Sequence, residues 1–333
     1  MSFDVDGTPV RFEADGFPLS TRPEVAATAF AVPAAEQRAR LAVAEPVDPA
    51  WRTGVGDALA LMAPWWGAAD TFELDAPDGA APQPVGATGV GQCFTAGVDS
   101  FWSLLHGDRP LTHLVTVFGF DTDLGDHERI AQTTAAVTAV AEAKGLVPLF
   151  VRTDLRQHPH FAATSWEHTH GAALAAVGLA LSGTIGTLVI PPSYAAHRLV
   201  PWGSRPDLDP LWSMPGTLVV SPEGAVLTRR QRIAAIAAEP LVHQHLQVCW
   251  EHIGPGANCG RCEKCLCTQT LFSATPHLAD LDAFPDRDQL ESRIDALGGL
   301  RPGLSVLWAD VVDDLAPVTL QEAVQRLLRR SPA

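Results

Sequence analysis

The chain has 333 residues, 47% of them hydrophobic and 18% charged, a folded globular composition with room for two domains and no need of covalent staples. Its formal net charge of -15 argues against a nucleic-acid partner, because such binders carry a basic surface. Met1–Ser20 holds acidic residues and no apolar run, and no apolar stretch is long enough to span a bilayer. The expectation is a cytoplasmic protein with no membrane partner and with reduced cysteines.

Ser2–Val5 and Pro9–Ala14 flank an Asp6-Gly7-Thr8 turn and predict a hairpin. Glu24–Val32 is expected to be another strand, Asp57–Trp66 a helix and Thr71–Leu74 extended. Together these make a small α+β N-terminal domain, 1–88, with no chemistry of its own in the sequence. Shaping a pocket, forming a homodimer and holding a partner are all open to it. The Pro/Gly-rich stretch Ala76–Gly91 marks the boundary.

Beyond it strand and helix alternate. Gln92–Phe94 runs into a turn and a helix at Asp99–His106. Leu114–Phe120 is an apolar strand of the buried parallel type, and Asp126–Lys144 a long helix stopped by Gly145. Leu146–Arg152 and Thr187–Pro191 are further strands around a helix at Thr169–Leu181. Thr217–Ser221 and Arg229–Ala238 add a strand and a helix. This pattern predicts a doubly wound α/β domain with a mostly parallel sheet, 89–245. The irregular Pro191–Trp212 is a candidate functional loop. Residues 246–333 are expected to form a metal-binding region and C-terminal helices. The last helix, Val318–Arg330, presents Arg326, Arg329 and Arg330 as a solvated face.

Two groups of residues carry chemistry. Thr95-Ala96-Gly97-Val98-Asp99-Ser100 lies between a strand and a helix, where backbone N–H groups and the helix dipole hold phosphate. Small residues let that backbone approach closely, and Thr95 and Ser100 add hydroxyls. Asp99 is expected to brace the loop or meet a Mg²⁺ ion. A Gly-x4-Gly-Lys-[Ser/Thr] loop is absent, since neither Lys144 nor Lys264 sits in one, and no Gly-x-Gly-x-x-Gly follows a strand.

The second group is Cys249, Cys259, Cys262 and Cys265, spaced by nine, two and two residues. Four thiolates make a closed tetrahedral zinc site with no open position. Gly260 eases the turn, and Arg261 and Lys264 could offset the thiolate charge. An iron–sulfur cluster and a persulfide-carrying or disulfide-forming pair are the rival readings. Cys267 is read as a packed thiol. Trp166-Glu167-His168-Thr169-His170 is a weaker candidate: on a loop the histidines could move protons, and otherwise they are solvated beside a helix cap at Thr169.

The loop resembles the Ser-Gly-Gly-x-Asp-Ser loop of the PP-loop ATP pyrophosphatases, with Thr95 for the first serine and Ala96 for the first glycine. Followed by the cysteine set, it resembles the 7-cyano-7-deazaguanine synthases over about Gln92–Leu271. The resemblance implies an adenine nucleotide alpha hydrolase (HUP-like) fold, with ATP, Mg²⁺ and Zn²⁺ as cofactors. It implies that Thr95–Ser100 grip pyrophosphate, with Asp99 and Ser100 catalytic, and that Phe118, Gly119, Phe120 and Asp121 line the adenine. The implied reaction adenylates a carboxylate or amide oxygen, and a nitrogen nucleophile then displaces AMP. The family's Tyr-Pro-Asp-Cys-Arg stretch has no counterpart. In its place stands Pro191–Trp212, so another substrate is expected, a small molecule or protein terminus carrying a carboxylate. Tyr194, Arg198, Trp202, Arg205 and Asp207 are the candidate substrate residues, with Trp212 as a further stacking surface. Two alternatives stand beside the ligase: a PP-loop sulfur transferase, which would need Cys93 or Cys267, and a non-catalytic nucleotide-binding module.

Overall fold

The computed structural model describes residues 1–67, 72–79, 87–195, 200–221, 226–254, 256–301, 308 and 318–331. The chain forms two compact units. The first comprises Met1–Phe94, Gly107–Ile130 and Ala141–Val226; the second comprises Thr95–His106, Ala131–Val140 and Leu227–Ala333.

The first unit is built on a seven-stranded sheet. Strands β1 (Ser2–Val5) and β2 (Thr8–Ala14) form the expected hairpin. Asp6 and Gly7 both take positive φ, 51° and 79°, the geometry whose twist matches the flanking strands. Strand β2 then pairs antiparallel with β7 (Val147–Thr153), so these N-terminal strands extend the central sheet. The remaining strands are β5 (Gly89–Cys93), β6 (His113–Phe118), β8 (Ile185–Val189) and β9 (Leu218–Val220). The order is β1-β2-β7-β6-β5-β8-β9, parallel from β7 to β9. Chain order reverses between β5 and β8, the switch point at which doubly wound sheets bind ligands beyond their carboxyl ends. A separate pair, β3 (Arg40–Ala42) and β4 (Glu73–Asp75), is also parallel.

Glu24–Val32 is not a strand. It lies within helix α1 (Pro23–Glu36), which starts on a proline and packs on α6 (Trp166–Ala180). Val25, Ala27, Thr28, Ala29, Phe30, Ala31 and Val32 are all buried. A helix buried nearly all round has no polar face, so its sequence carries no 3.6-residue period and is indistinguishable from a buried strand. Helix α2 (Pro49–Met62) begins on an Asp48 cap and continues as a 3₁₀ turn, Ala63–Trp66. Glu24 joins the two helix starts by accepting from the Asp48 N–H at 2.9 Å. The first unit also holds α5 (Pro159–Ala162).

The second unit is helical. Helix α3 (Val98–His106) follows β5 in the chain, and the middle, Ala131–Val140, of α4 (His127–Lys144) also belongs to this unit; α4 is capped by Asp126 and ended by Gly145. Helix α7 (Arg229–Ile236) opens on a Thr228/Gln231 capping box. Then come α8 (Pro240–His245), α9 (Glu263–Ser273), α10 (Leu290–Asp295) and α11 (Val318–Arg329). The arginines of α11 are not merely solvated. Arg326 grips Asp295 with two bonds of 3.0 and 2.7 Å, and Arg330 donates to the carbonyls of Ile294 and Asp295, pinning α11 to α10. No helix among the described residues is long and apolar enough to cross a membrane.

Candidate functional site

The loop Thr95–Ser100 leaves the carboxyl end of the central strand β5 and turns into α3. Ala96 is fully buried in the left-handed region at φ 56°. For a residue with a Cβ this costs roughly 1–2 kcal/mol, and such strain persists only where the surroundings enforce it. Here the enforcing group is Gln247. Its N–H donates to the Ala96 carbonyl at 2.8 Å, while its own side-chain oxygen accepts from Thr133 Oγ1 at 3.0 Å.

Gly97 takes an ordinary backbone angle. A Cβ added there would lie 3.7 Å from Gln247 O, 3.8 Å from Thr95 Oγ1 and 3.9 Å from Ser100 Oγ. The space in front of Gly97 is therefore bounded by oxygens at van der Waals distance. Ser100 is buried and donates to the Gly97 carbonyl at 3.0 Å, whereas Thr95 is exposed. Asp99 is braced. Its Oδ1 accepts from Arg232 at 2.8 Å and its Oδ2 pairs with Arg229 at 3.3 Å. Both arginines come from α7, and their side chains are 0% and 5% exposed. Val98 is core. Sequence reasoning passed over Arg229, Arg232 and Gln247. The Arg229-x-x-Arg232 spacing on one helical face was the available signal for the first two.

The four-cysteine group is assembled from two segments. Cys249 follows α8, while Cys259 and Cys262 lie on the turn entering α9 and Cys265 in its first turn. All four sulfurs lie within 4.8 Å of one another, and none is in a disulfide. The Cys249–Cys262 and Cys259–Cys265 sulfurs are 3.9 and 4.0 Å apart. A tetrahedral ion with bonds of about 2.3 Å needs edges of about 3.8 Å, so the group could hold a metal such as zinc. Backbone N–H groups of Arg261 and Cys262 point at Cys259 Sγ (3.4 and 3.3 Å), and that of Cys265 at Cys262 Sγ (3.4 Å). Gly260 takes φ 67° to make this turn. The Cys249 thiol is held well below the ordinary thiol range because Cys262 and Cys265 bond to it.

Asn258 orders the whole arrangement, and the sequence reading missed it. Its side-chain oxygen accepts from the N–H of Val248 (2.8 Å) and of Cys249 (3.2 Å), and its amide donates to the carbonyls of Leu246 and Ala283. Lys264 and Arg301 lie over the ring of Trp250, the residue after Cys249, at 5.4 and 4.8 Å.

In the first unit, the end of β6 carries the residues expected at adenine. Phe118 is core, stacked on Phe150. Gly119 has φ 96°, and a Cβ there would meet the Thr153 carbonyl at 1.8 Å, so only glycine fits this approach of β6 to β7. Phe120 packs on Trp166 at 5.1 Å, and the exposed Asp121 accepts from Trp166 Nε1 at 3.3 Å. Trp166 continues through His170 to Trp202 and Tyr194 as a chain of ring contacts, 5.9, 4.9 and 5.3 Å between centroids.

Of the other loop candidates, Arg205 and Asp207 are spent on each other in a bidentate pair of 2.9 and 2.7 Å. Arg198 lies outside the described residues. Trp212 is fully buried and offers no stacking face. Asp209 organises the loop from inside, accepting from Ser204, Ser221 and the Arg205 N–H. Burial pushes its carboxyl up to about 7. The histidine segment opens helix α6, which starts after Ser165 with no side-chain cap, so Thr169 lies inside the first turn and not at a cap. Its histidines are held, not solvated: His168 bonds Glu36 at 3.1 Å, and burial lowers His170 to about 4. Burial also raises the Cys93 thiol to about 12, and Cys267 is buried in α9.

No protein-family model, curated protein or solved structure matches the chain. Fold and sites define an α/β protein with a mostly parallel seven-stranded sheet and a four-cysteine group suited to a metal.

Proposed function

We propose that this is an ATP-dependent adenylating enzyme of the PP-loop kind, with a HUP-like sheet, resembling the 7-cyano-7-deazaguanine synthases but acting on another carboxylate. The observation that carries the reading is the strained, buried Ala96 in a small-residue loop that runs into helix α3. Strain is retained where it shapes a binding backbone, and the backbone N–H groups at a helix N-terminus suit phosphate.

In this reading Thr95, Ser100 and the loop amides hold the pyrophosphate of ATP. Asp99 is the loop's brace, because both its oxygens already face arginines. Mg²⁺ then arrives on the phosphates, as this ion commonly does. A substrate carboxylate oxygen bonds to the α-phosphorus as the bond to pyrophosphate breaks. A nitrogen nucleophile next attacks the acyl carbon, AMP leaves and the nitrogen sheds a proton. The protein contributes position and charge stabilisation. Cys249, Cys259, Cys262 and Cys265 would hold zinc through four thiolates, a set that would serve structure and not catalysis.

A sulfur transferase requires a reactive thiolate. Cys93 at about 12 and the buried Cys267 speak against one. The test is to incubate the protein with ATP, Mg²⁺, ammonium and a panel of carboxylates headed by 7-carboxy-7-deazaguanine, and to quantify AMP against ADP. AMP that depends on one acid supports the proposal. ADP as the product sinks it.

A further inference from the structure

The second unit holds another cluster of metal-ligating groups. His243 on α8, and His277 and Asp280 around the 3₁₀ turn Leu278–Asp280, each place one ligand atom within 4.8 Å of the other two. We infer that His243, His277 and Asp280 form a second metal site, for a divalent transition ion of the zinc class.

Three features favour a site over a chance grouping. First, His243 Nε2 sits 2.6 Å from the Ala237 carbonyl. That oxygen can only accept, so Nε2 carries the proton and the Nδ1 lone pair is left for an ion. Second, His277 Nδ1 lies 2.9 Å from Asp280 Oδ2. Two ligand atoms that share one ion through bonds of about 2.1 Å at about a right angle stand about 3.0 Å apart, so both groups can reach the same ion. Third, the two imidazole centroids are 5.7 Å apart. Rings that share one ion through bonds of about 2.1 Å can have centroids up to about 6.4 Å apart, so this spacing fits. Two imidazoles and a carboxylate suit zinc, nickel, cobalt or copper, and not calcium or magnesium.

His277 and Asp280 are 30% and 51% exposed on their side chains, so the remaining positions face water and ions can enter. The chain between His243 and His277 carries all four members of the cysteine group. An ion here would therefore clamp α8 to the segment that follows α9, and so close the cysteine region at its base. It would bind more weakly than four thiolates do, and it makes no use of the proposed adenylation.

The test uses untagged full-length protein whose cysteine group is already loaded with zinc, as shown by metal analysis. Zn²⁺ is then titrated by calorimetry. The wild type takes up one further equivalent. His243→Gln and His277→Gln each lose it, and Asp280→Ala, which removes a ligand, weakens it at least about tenfold. Near-ultraviolet circular dichroism and the metal already bound are unchanged in all three. Hydrogen exchange of 240–245 slows on adding Zn²⁺ to the wild type only. A wild type that takes up no further equivalent overturns the assignment. So does a further equivalent that the histidine variants bind as tightly as the wild type.

Discussion

Replacing Gly97 with alanine separates binding from folding. The backbone angle at Gly97 is ordinary, and the nearest atom to an added Cβ is 3.7 Å away, so the protein itself does not resist the methyl group. Removing a glycine at such a position stabilises by roughly 0.4–1 kcal/mol, because the unfolded chain loses freedom. The methyl would nonetheless stand 3.8 Å from Thr95 Oγ1 and 3.9 Å from Ser100 Oγ. A phosphate oxygen must come within about 2.7–3.2 Å of its donors, so it cannot share that space. Losing one charge-assisted hydrogen bond costs about 1.5–3 kcal/mol, roughly 10- to 150-fold in affinity. Urea unfolding should therefore show an equal or slightly more stable protein, and calorimetry with ATP a loss of at least tenfold. ATP affinity within twofold of wild type would refute the placement of phosphate against Gly97.

Asp99→Asn should destabilise by about 2–3 kcal/mol in urea, because two buried arginines lose their carboxylate; the usual cost of breaking a buried pair is trimmed for the partial exposure of Asp99. Cys262→Ser, or a strong chelator, should release a metal held by the cysteine group and unfold the segment around α9, read as metal content and helical circular dichroism. Asp209 has a folded pKa of about 7 against an ordinary 3.8, so the native state binds the extra proton. Its contribution is therefore greatest below about pH 4 and declines as pH rises to about 7, by of order 4 kcal/mol. Asp209→Asn should flatten that slope in urea unfolding measured across the same window. Cys93→Ala should leave AMP formation intact, and its loss would revive the sulfur-transfer reading.

The elements with a clear period or clear caps were legible in the sequence. Asp126 and Gly145 bracket α4 as expected, and the hairpin at Asp6-Gly7 has the turn its residues demand. The cysteine spacing alone announced a group that the fold brings together. What stayed hidden depends on packing from all sides or on distant partners. Helix α1 has no polar face to reveal its period. Gln247 and the arginines of α7 act by hydrogen bonds to residues far along the chain, and Asn258 by bonds across a loop, which no local pattern encodes. The loop at Pro191–Trp212 was legible as irregular. Its reactive-looking side chains, however, answer one another: Arg205 takes Asp207, and Asp209 is buried as the organiser.

The central claim is adenylation at the loop of Thr95–Ser100, and the exchange of labelled pyrophosphate into ATP tests it most directly. The assay reads reversal of the first step and needs no knowledge of the nitrogen nucleophile. Exchange that depends on Mg²⁺ and on one carboxylate of the panel, and that is lost in Gly97→Ala, is the predicted result. ATP turnover to ADP and phosphate, with no exchange under any acid, would contradict the account.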